Sequence, residues 1–213
     1  MFIIDFDDTL FNTRPGFSNA RVAALAPLGI SEDLYLQTYR EARNSASGQV
    51  WYDDQRHAQV LAMKGFDEDK AFAALASTMA PERLKEFLFP DAITFLEKLK
   101  SFGEPMILLS LGDAEYQFKK VRALEIEKYF DRVFMVDEEK HTVMEELLKN
   151  VSDKEIWFIN DKVPETVALA KQFPEIKIVM KKSSSFPEAE YQATGLPYFN
   201  TLTEIYDHIS SHR

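Results

Sequence analysis

The sequence predicts an α/β fold, a three-layer parallel sheet with a helical domain inserted after its first strand. Three observations carry this. Apolar runs at 1–4, 106–109 and 156–159 are unbroken rather than alternating, as suits strands buried on both faces. Each run ends in residues able to do chemistry: Asp5-Phe6-Asp7-Asp8-Thr9, Ser110-Leu111-Gly112-Asp113 and Asn160-Asp161. Between the first two runs lie about eighty residues with helical spacing and no strand candidate of their own.

The first strand opens the chain and stops at three carboxylates. Ligands of open parallel sheets bind beyond the C-terminal ends of the strands, so the cluster falls where a site is expected. Carboxylates this close repel one another, which calls for a proton, a cationic side chain or a hard divalent cation. The plain alternative is a solvated acidic turn.

Helices follow at 18–27, ending near Gly29, and at 32–43, with Ser31 as N-cap. Residues 44–48 form a polar break. Asp53 or Asp54 caps a helix that Gly65 stops, and Asp67 caps another over 68–79. Pro81 interrupts before a last segment at 82–89. Trp51 and Tyr52 read as core of this helical unit or as the hinge of a helix hairpin. The expected domains are therefore 1–11 with 90–213 for the sheet, and 12–89 for the helices.

The sheet resumes with a helix at 91–102, a strand at 106–109 and a helix at 114–124. Ser110 beside Gly112 can present a hydroxyl and free backbone amides to an anion. A strand at 133–136 precedes a helix that Lys140 opens, an unusual place for a cation given the helix dipole. The run 156–159 leads to Asp161, and Glu165 follows Pro164 in a first helical turn. Strands at 176–180 and 198–199 and a helix at 202–210 complete the chain.

Composition narrows the function. Hydrophobic residues make up 46% of the chain, so it folds as a globule. A net charge of -10 argues against nucleic acid and against anionic membrane surfaces as partners. It leaves a small phosphate ester open, because a local cation overrides net charge. With no cysteine, disulfides, thiolate catalysis and cysteine-held zinc are excluded. No apolar stretch reaches the length of a membrane span, and Met1 leads into the strand without a basic leader, so a cytoplasmic location is expected. The histidines show no metal-ligand spacing.

The four tip segments, in this order, resemble the motifs of the haloacid dehalogenase-like hydrolases. Asp5-Phe6-Asp7-Asp8-Thr9 resembles the first motif, Asp-x-Asp-x-Thr. Ser110 resembles the second, Lys140 is the candidate for the third with Lys149 as the near alternative, and Asp161 with Glu165 resembles the fourth. Asn160 stands where Gly or another acid is usual, a departure from the pattern. The resemblance implies a Rossmann-like core, a helical cap and a phosphatase chemistry. By resemblance, Mg2+ is held by the Asp5 carboxylate, the Asp7 backbone carbonyl and Asp161, with Glu165 in support. Asp5 is then the nucleophile and Asp7 the general acid and base. Lys140, Ser110 and the amides near Leu111 hold the phosphoryl oxygens, while Thr9 tethers the loop.

The family also contains dehalogenases and phosphonatases, which by resemblance lack the acid corresponding to Asp7. Having Asp7 favours phosphoryl transfer, and hydrolysis of a small phosphorylated metabolite is the expected activity. A phosphomutase shares the motifs and stays open. A phosphoacceptor module like a receiver domain, or an inactive binding protein on the same fold, are the non-enzymatic alternatives; the long insertion counts against the first and the intact acids against the second. Six of the nine arginines lie in the insertion. Arg40 and Arg43 flank the break at 44–48 and are the candidates for gripping the rest of the substrate.

Overall fold

The computed structural model describes residues 1–43, 52–137, 140–149 and 155–213. The expected break at 44–48 and Trp51 lie outside these residues. Six parallel strands form one sheet: β1 (Phe2–Ile4), β2 (Met106–Leu111), β3 (Arg132–Val136), β4 (Trp157–Asn160), β5 (Lys177–Lys181) and β6 (Tyr198–Phe199). Their spatial order is β3-β2-β1-β4-β5-β6. The chain builds outward from β1 through β2 to β3, then returns to the other side of β1 with β4. The direction therefore reverses at β1, and this switch point opens a crevice at the strand tips.

Why the strands are unbroken apolar runs is clear from their burial. Phe2, Ile3 and Ile4 are all fully buried, and successive side chains point to opposite faces. Phe2 and Ile4 join Leu108 and Ile159 in one core, under α6 (Ala92–Lys100) and α11 (Leu202–Ser211). Ile3 joins Ile107 and Phe158 in the other, under α8 (His141–Leu148) and α9 (Val163–Gln172). α11 starts at a capping box between Thr201 and Glu204. Between them these layers make the three-layer α/β fold that the apolar runs predict.

The insertion supplies α1 (Ser18–Leu25), α2 (Glu32–Arg43), α3 (Asp54–Met63) and α4 (Glu68–Ser77). Asp53 caps α3 and Asp67 caps α4 through their side chains. These helices share a cluster of their own made of Leu25, Ile30, Tyr35, Ala58, Leu61, Ala71 and Leu75. The segment after them behaves differently. In α5 (Pro81–Lys85) Leu84 packs into the sheet's core, as do Met79 and Phe87–Phe89. The expected helix over 82–89 stops early because Leu88 bridges to Phe11 instead.

α7 (Ala114–Ala123) follows β2, and the short α10 (Glu188–Thr194) was not expected from sequence. It has one buried residue, Tyr191, too little to mark a helical face. Among the described residues no helix is long and apolar enough to cross a membrane.

Candidate active site

Asp5 continues β1 by donating its backbone N–H to Ile159 at 2.9 Å. Its carboxylate is buried and meets the Lys140 ammonium at 2.6 Å. Thr9 donates its hydroxyl to the same carboxylate at 3.4 Å. Burial pushes the Asp5 carboxyl up to about 6, against the pull of Lys140. Asp8 adopts a left-handed backbone (φ 59°) and accepts from the Arg14 amide at 2.7 Å, which turns the loop. Burial raises its carboxyl to about 6 as well.

Lys140 precedes α8 and is buried, while Lys149 sits exposed at the far end of that helix. Burial alone would push the Lys140 ammonium down. The charges of Asp5 and Glu165 (2.9 Å) outweigh that and hold it above its ordinary value. The unusual Asn160 belongs to this arrangement. Its amide donates to Glu165 at 3.0 Å and to Thr166 at 2.9 Å, and its oxygen accepts from Lys140 at 3.4 Å. Asn160 thus ties Glu165 and Lys140 together.

Asp161 lies at the tip of β4, buried, with Tyr191 donating to its carbonyl at 3.0 Å. Burial, then the charges of Asp5 and Asp8, push its carboxyl well above the usual range. Ser110 is the penultimate residue of β2, with its buried hydroxyl unpartnered. Asp5, Asp7, Ser110, Leu111, Lys140, Asp161 and Glu165 all line one cavity of about 280 Å³. Arg43 lines it too. Arg40 is exposed and lines neither this cavity nor the smaller one beside it, because it sits one residue, or 100°, round α2 from Tyr39.

The site's donors fit a hard divalent ion. Two buried carboxyls, Asp5 and Asp161, resist ionisation beside each other, which a cation would relieve. Among the described residues no three acidic or imidazole side chains form a ready-made metal cluster. Two carboxylates and a backbone carbonyl suit magnesium, which keeps several waters.

Asp7 has its own company. Its carboxylate receives Lys120 at 2.7 Å, with Thr13 and Gln117 as further donors. Burial pushes its carboxyl up, but the Lys120 charge and these hydrogen bonds together hold it below the usual range. Lys120 is itself buried, with its ammonium 4.9 Å from the Phe6 ring centre and 5.0 Å from that of Phe11. Gln117 packs over Gly112, where φ is 155° and a Cβ would come within 2.9 Å of its amide nitrogen. Gly112 is therefore needed for close approach, and not only for a turn. Lys120, Gln117 and Thr13 were not singled out from sequence. The available signal was that Asp113, Tyr116, Gln117 and Lys120 fall on one face of the helix that leaves the Ser110 tip.

Comparison with known proteins agrees with this architecture. The family model of the haloacid dehalogenase-like hydrolases matches residues 1–173. A glyceraldehyde 3-phosphate phosphatase from Methanothermobacter thermautotrophicus is 31% identical over 142 residues. That match covers 63% of this chain and 61% of the relative's length. Among solved structures, the L-2-haloacid dehalogenase of Xanthobacter autotrophicus superposes with a TM-score of 0.64 at 15% identity, over 98% of this chain and 97% of that one. A candidate β-phosphoglucomutase from Thermotoga maritima gives 0.67 at 18% identity, over 99% and 98%. At such identities these structures speak for the fold alone. The family match covers the strand tips that carry Asp5, Ser110 and Asp161 and the start of α8 at Lys140, and with it the chain belongs to the haloacid dehalogenase-like hydrolases.

Proposed function

We propose that the protein is a magnesium-dependent phosphohydrolase of small phosphate monoesters that works through an aspartyl phosphate on Asp5. The observation that carries this is Asp7, a second carboxylate in the same cavity with partners separate from those of Asp5. Breaking a carbon–halogen bond leaves no oxygen to protonate, whereas an ester does. The phosphatase activity named for the 31% identical relative points the same way.

In this reading an Asp5 oxygen attacks phosphorus in line and the bond to the ester oxygen breaks. Asp7 gives that oxygen a proton and later takes one from the water that hydrolyses the aspartyl phosphate, regenerating Asp5. The Lys120 pair favours the ionised form of Asp7, the form the second step needs. An incoming phosphate dianion repels that charge and works the other way, towards the acid of the first step. Lys140, Ser110 and the amide of Leu111 hold the phosphoryl oxygens. Asp5, Asp161 and the Asp7 carbonyl would hold magnesium, which would supply neutralisation of the negative charge gathered at the site. The helices α1–α4, which share a core of their own, act as the cap over this cavity.

The test is turnover of acetyl phosphate and of a panel of phosphate monoesters. Magnesium should be required, EDTA should abolish hydrolysis and added magnesium should restore it. Full activity in EDTA overturns the reading. Product phosphorylated at a new position, with no free phosphate, would establish the mutase instead.

A further inference from the structure

Asp161 lies one residue past the last pair of the β4–β5 ladder, Asn160 with Met180. The pairing of the sheet stops before it, and a carboxyl is only as well placed as the backbone that carries it. The hydroxyl of Tyr191 takes over at this point. It donates to the Asp161 carbonyl at 3.0 Å. Its oxygen accepts from the Ser183 amide at 3.0 Å and lies 3.3 Å from the Ser183 hydroxyl. Ser183 in turn hydrogen-bonds with the Asp161 carboxyl. One buried hydroxyl thus reaches both parts of Asp161, the backbone directly and the side chain through Ser183.

Packing alone does not call for that hydroxyl. α10 buries a single side chain, Tyr191, which is fully enclosed. Its ring centre lies 6.3 Å from that of Phe186 and 5.5 Å from that of Tyr198. A phenylalanine would keep these ring contacts. It would leave the Ser183 amide and the Asp161 carbonyl short of a partner, at a cost. The loop that Tyr191 holds is also part of the site. Ser185 and Phe186 line the active cavity, and Ser184 donates to the Arg14 carbonyl at 3.0 Å.

The consequence falls on the metal. Magnesium demands near-ideal octahedral geometry, so its affinity depends closely on where each carboxylate stands. Groups that orient a metal ligand are typically worth about 10–100-fold in affinity.

We propose that Tyr191 is a positioning residue for Asp161, acting through the Asp161 carbonyl and through Ser183 to set the affinity for magnesium. This rests on the magnesium-dependent reading and goes beyond it, to a residue that does not line the cavity.

The experiment is calorimetric titration of the full chain with magnesium chloride, which needs no turnover. Tyr191→Phe keeps the ring and deletes the hydroxyl. Its Kd for magnesium should rise about tenfold. With acetyl phosphate as substrate, the magnesium concentration that gives half the maximal rate should rise by the same factor, while kcat at saturating magnesium is retained. Tyr198→Phe is the control. It removes another hydroxyl, one bonded to Glu188 of α10 at 2.7 Å, without touching Asp161 or Ser183, and its Kd should match the wild type. Ser183→Ala, at a half-buried position, should weaken magnesium in the same direction, and it decides the matter if Tyr191→Phe does not fold. An unchanged Kd in the deciding variant makes Tyr191 a packing residue. So does an equal rise in Tyr198→Phe, or a loss of kcat that saturating magnesium does not restore. If the wild type binds no magnesium, the metal reading falls and this proposal falls with it.

Discussion

Asp5 and Asp7 are two residues apart, yet their neighbours push them in opposite directions. Asp5 is buried against Lys140 with other acids close by, and its carboxyl rises to about 6. Asp7 is gripped by Lys120, Thr13 and Gln117, and its carboxyl falls. With separate partners, the two carboxylates can be tested apart. Asp5→Asn removes the attacking charge, so no phosphoenzyme should form with any ester. Asp7→Asn should still be phosphorylated by acetyl phosphate, whose acetate needs no proton, and then stall with about one equivalent of acetate released. Wild-type turnover by Asp7→Asn, or a burst from Asp5→Asn, would show the roles to be reversed. In the proposed reaction Lys120 acts through its ion pair with Asp7, as a positioning residue. Lys120→Met should slow a sugar-alcohol ester about tenfold, a part of the 10²–10⁴ that acid–base help supplies, while phosphorylation by acetyl phosphate barely changes. Equal loss on both substrates would make Lys120 a packing residue only.

At the scale of helices, α1, α2, α3 and α7 are joined by one chain of hydrogen bonds. Arg21 of α1 donates to Tyr52 and to Tyr116 of α7, the second at 2.7 Å. Tyr52 already accepts from Arg21, so its own proton goes to His57 Nδ1 at 2.9 Å. His57 Nε2 then donates to Thr38 of α2 at 2.9 Å, and Thr38 passes its proton to the Leu34 carbonyl at 2.8 Å. A second proton on His57 would break this chain, and burial, with Arg21 nearby, lowers its pKa to about 3. The unfolded chain protonates the same imidazole near 6.5. Below that pH the unfolded state binds a proton that the folded state refuses, so stability falls as pH drops towards 3. At pH 5 the loss from this group is about 2 kcal/mol. Urea unfolding of wild type and His57→Gln at pH 7.5 and pH 5 checks this. The wild type should lose about 2 kcal/mol more than the variant between the two conditions. Parallel losses would place the acid sensitivity elsewhere.

For the whole molecule, the reversal of strand order at β1 brings the tips of β1, β2 and β4 to one crevice. Carboxyls gathered there oppose one another in the folded state and are far apart when the chain unfolds. A divalent ion bound only by the folded state therefore stabilises it, by about 2.7 kcal/mol at a hundredfold excess over its Kd. For a chain of this size that is a rise in Tm of roughly 5–10 °C. Thermal unfolding with and without magnesium measures it independently of activity. Asp161→Asn should raise the metal-free Tm, by removing a repelling charge, and blunt the magnesium response. An unchanged response would remove Asp161 from the metal set.

The strands and their tips were legible because of burial geometry. A strand covered on both faces must be apolar at every position, so Phe2-Ile3-Ile4 and Trp157-Phe158-Ile159 stand out, and a carboxylate that ends such a run has no packing reason to be there. The caps of the inserted helices were legible for a similar reason, since Asp53 and Asp67 satisfy amides of their own segments. Other features were decided by the fold alone. Lys120 reads as one of two adjacent surface lysines, and only packing buries it while Lys119 stays exposed. Its partner Asp7 lies 113 residues away. The choice of Arg43 over Arg40 depends on the rotation of α2 about its axis, and Asn160 gains its meaning only beside Lys140 and Glu165. Local pattern records which face of a segment avoids water. It does not record which distant charge makes burial of a cation tolerable, and that is settled by tertiary contact.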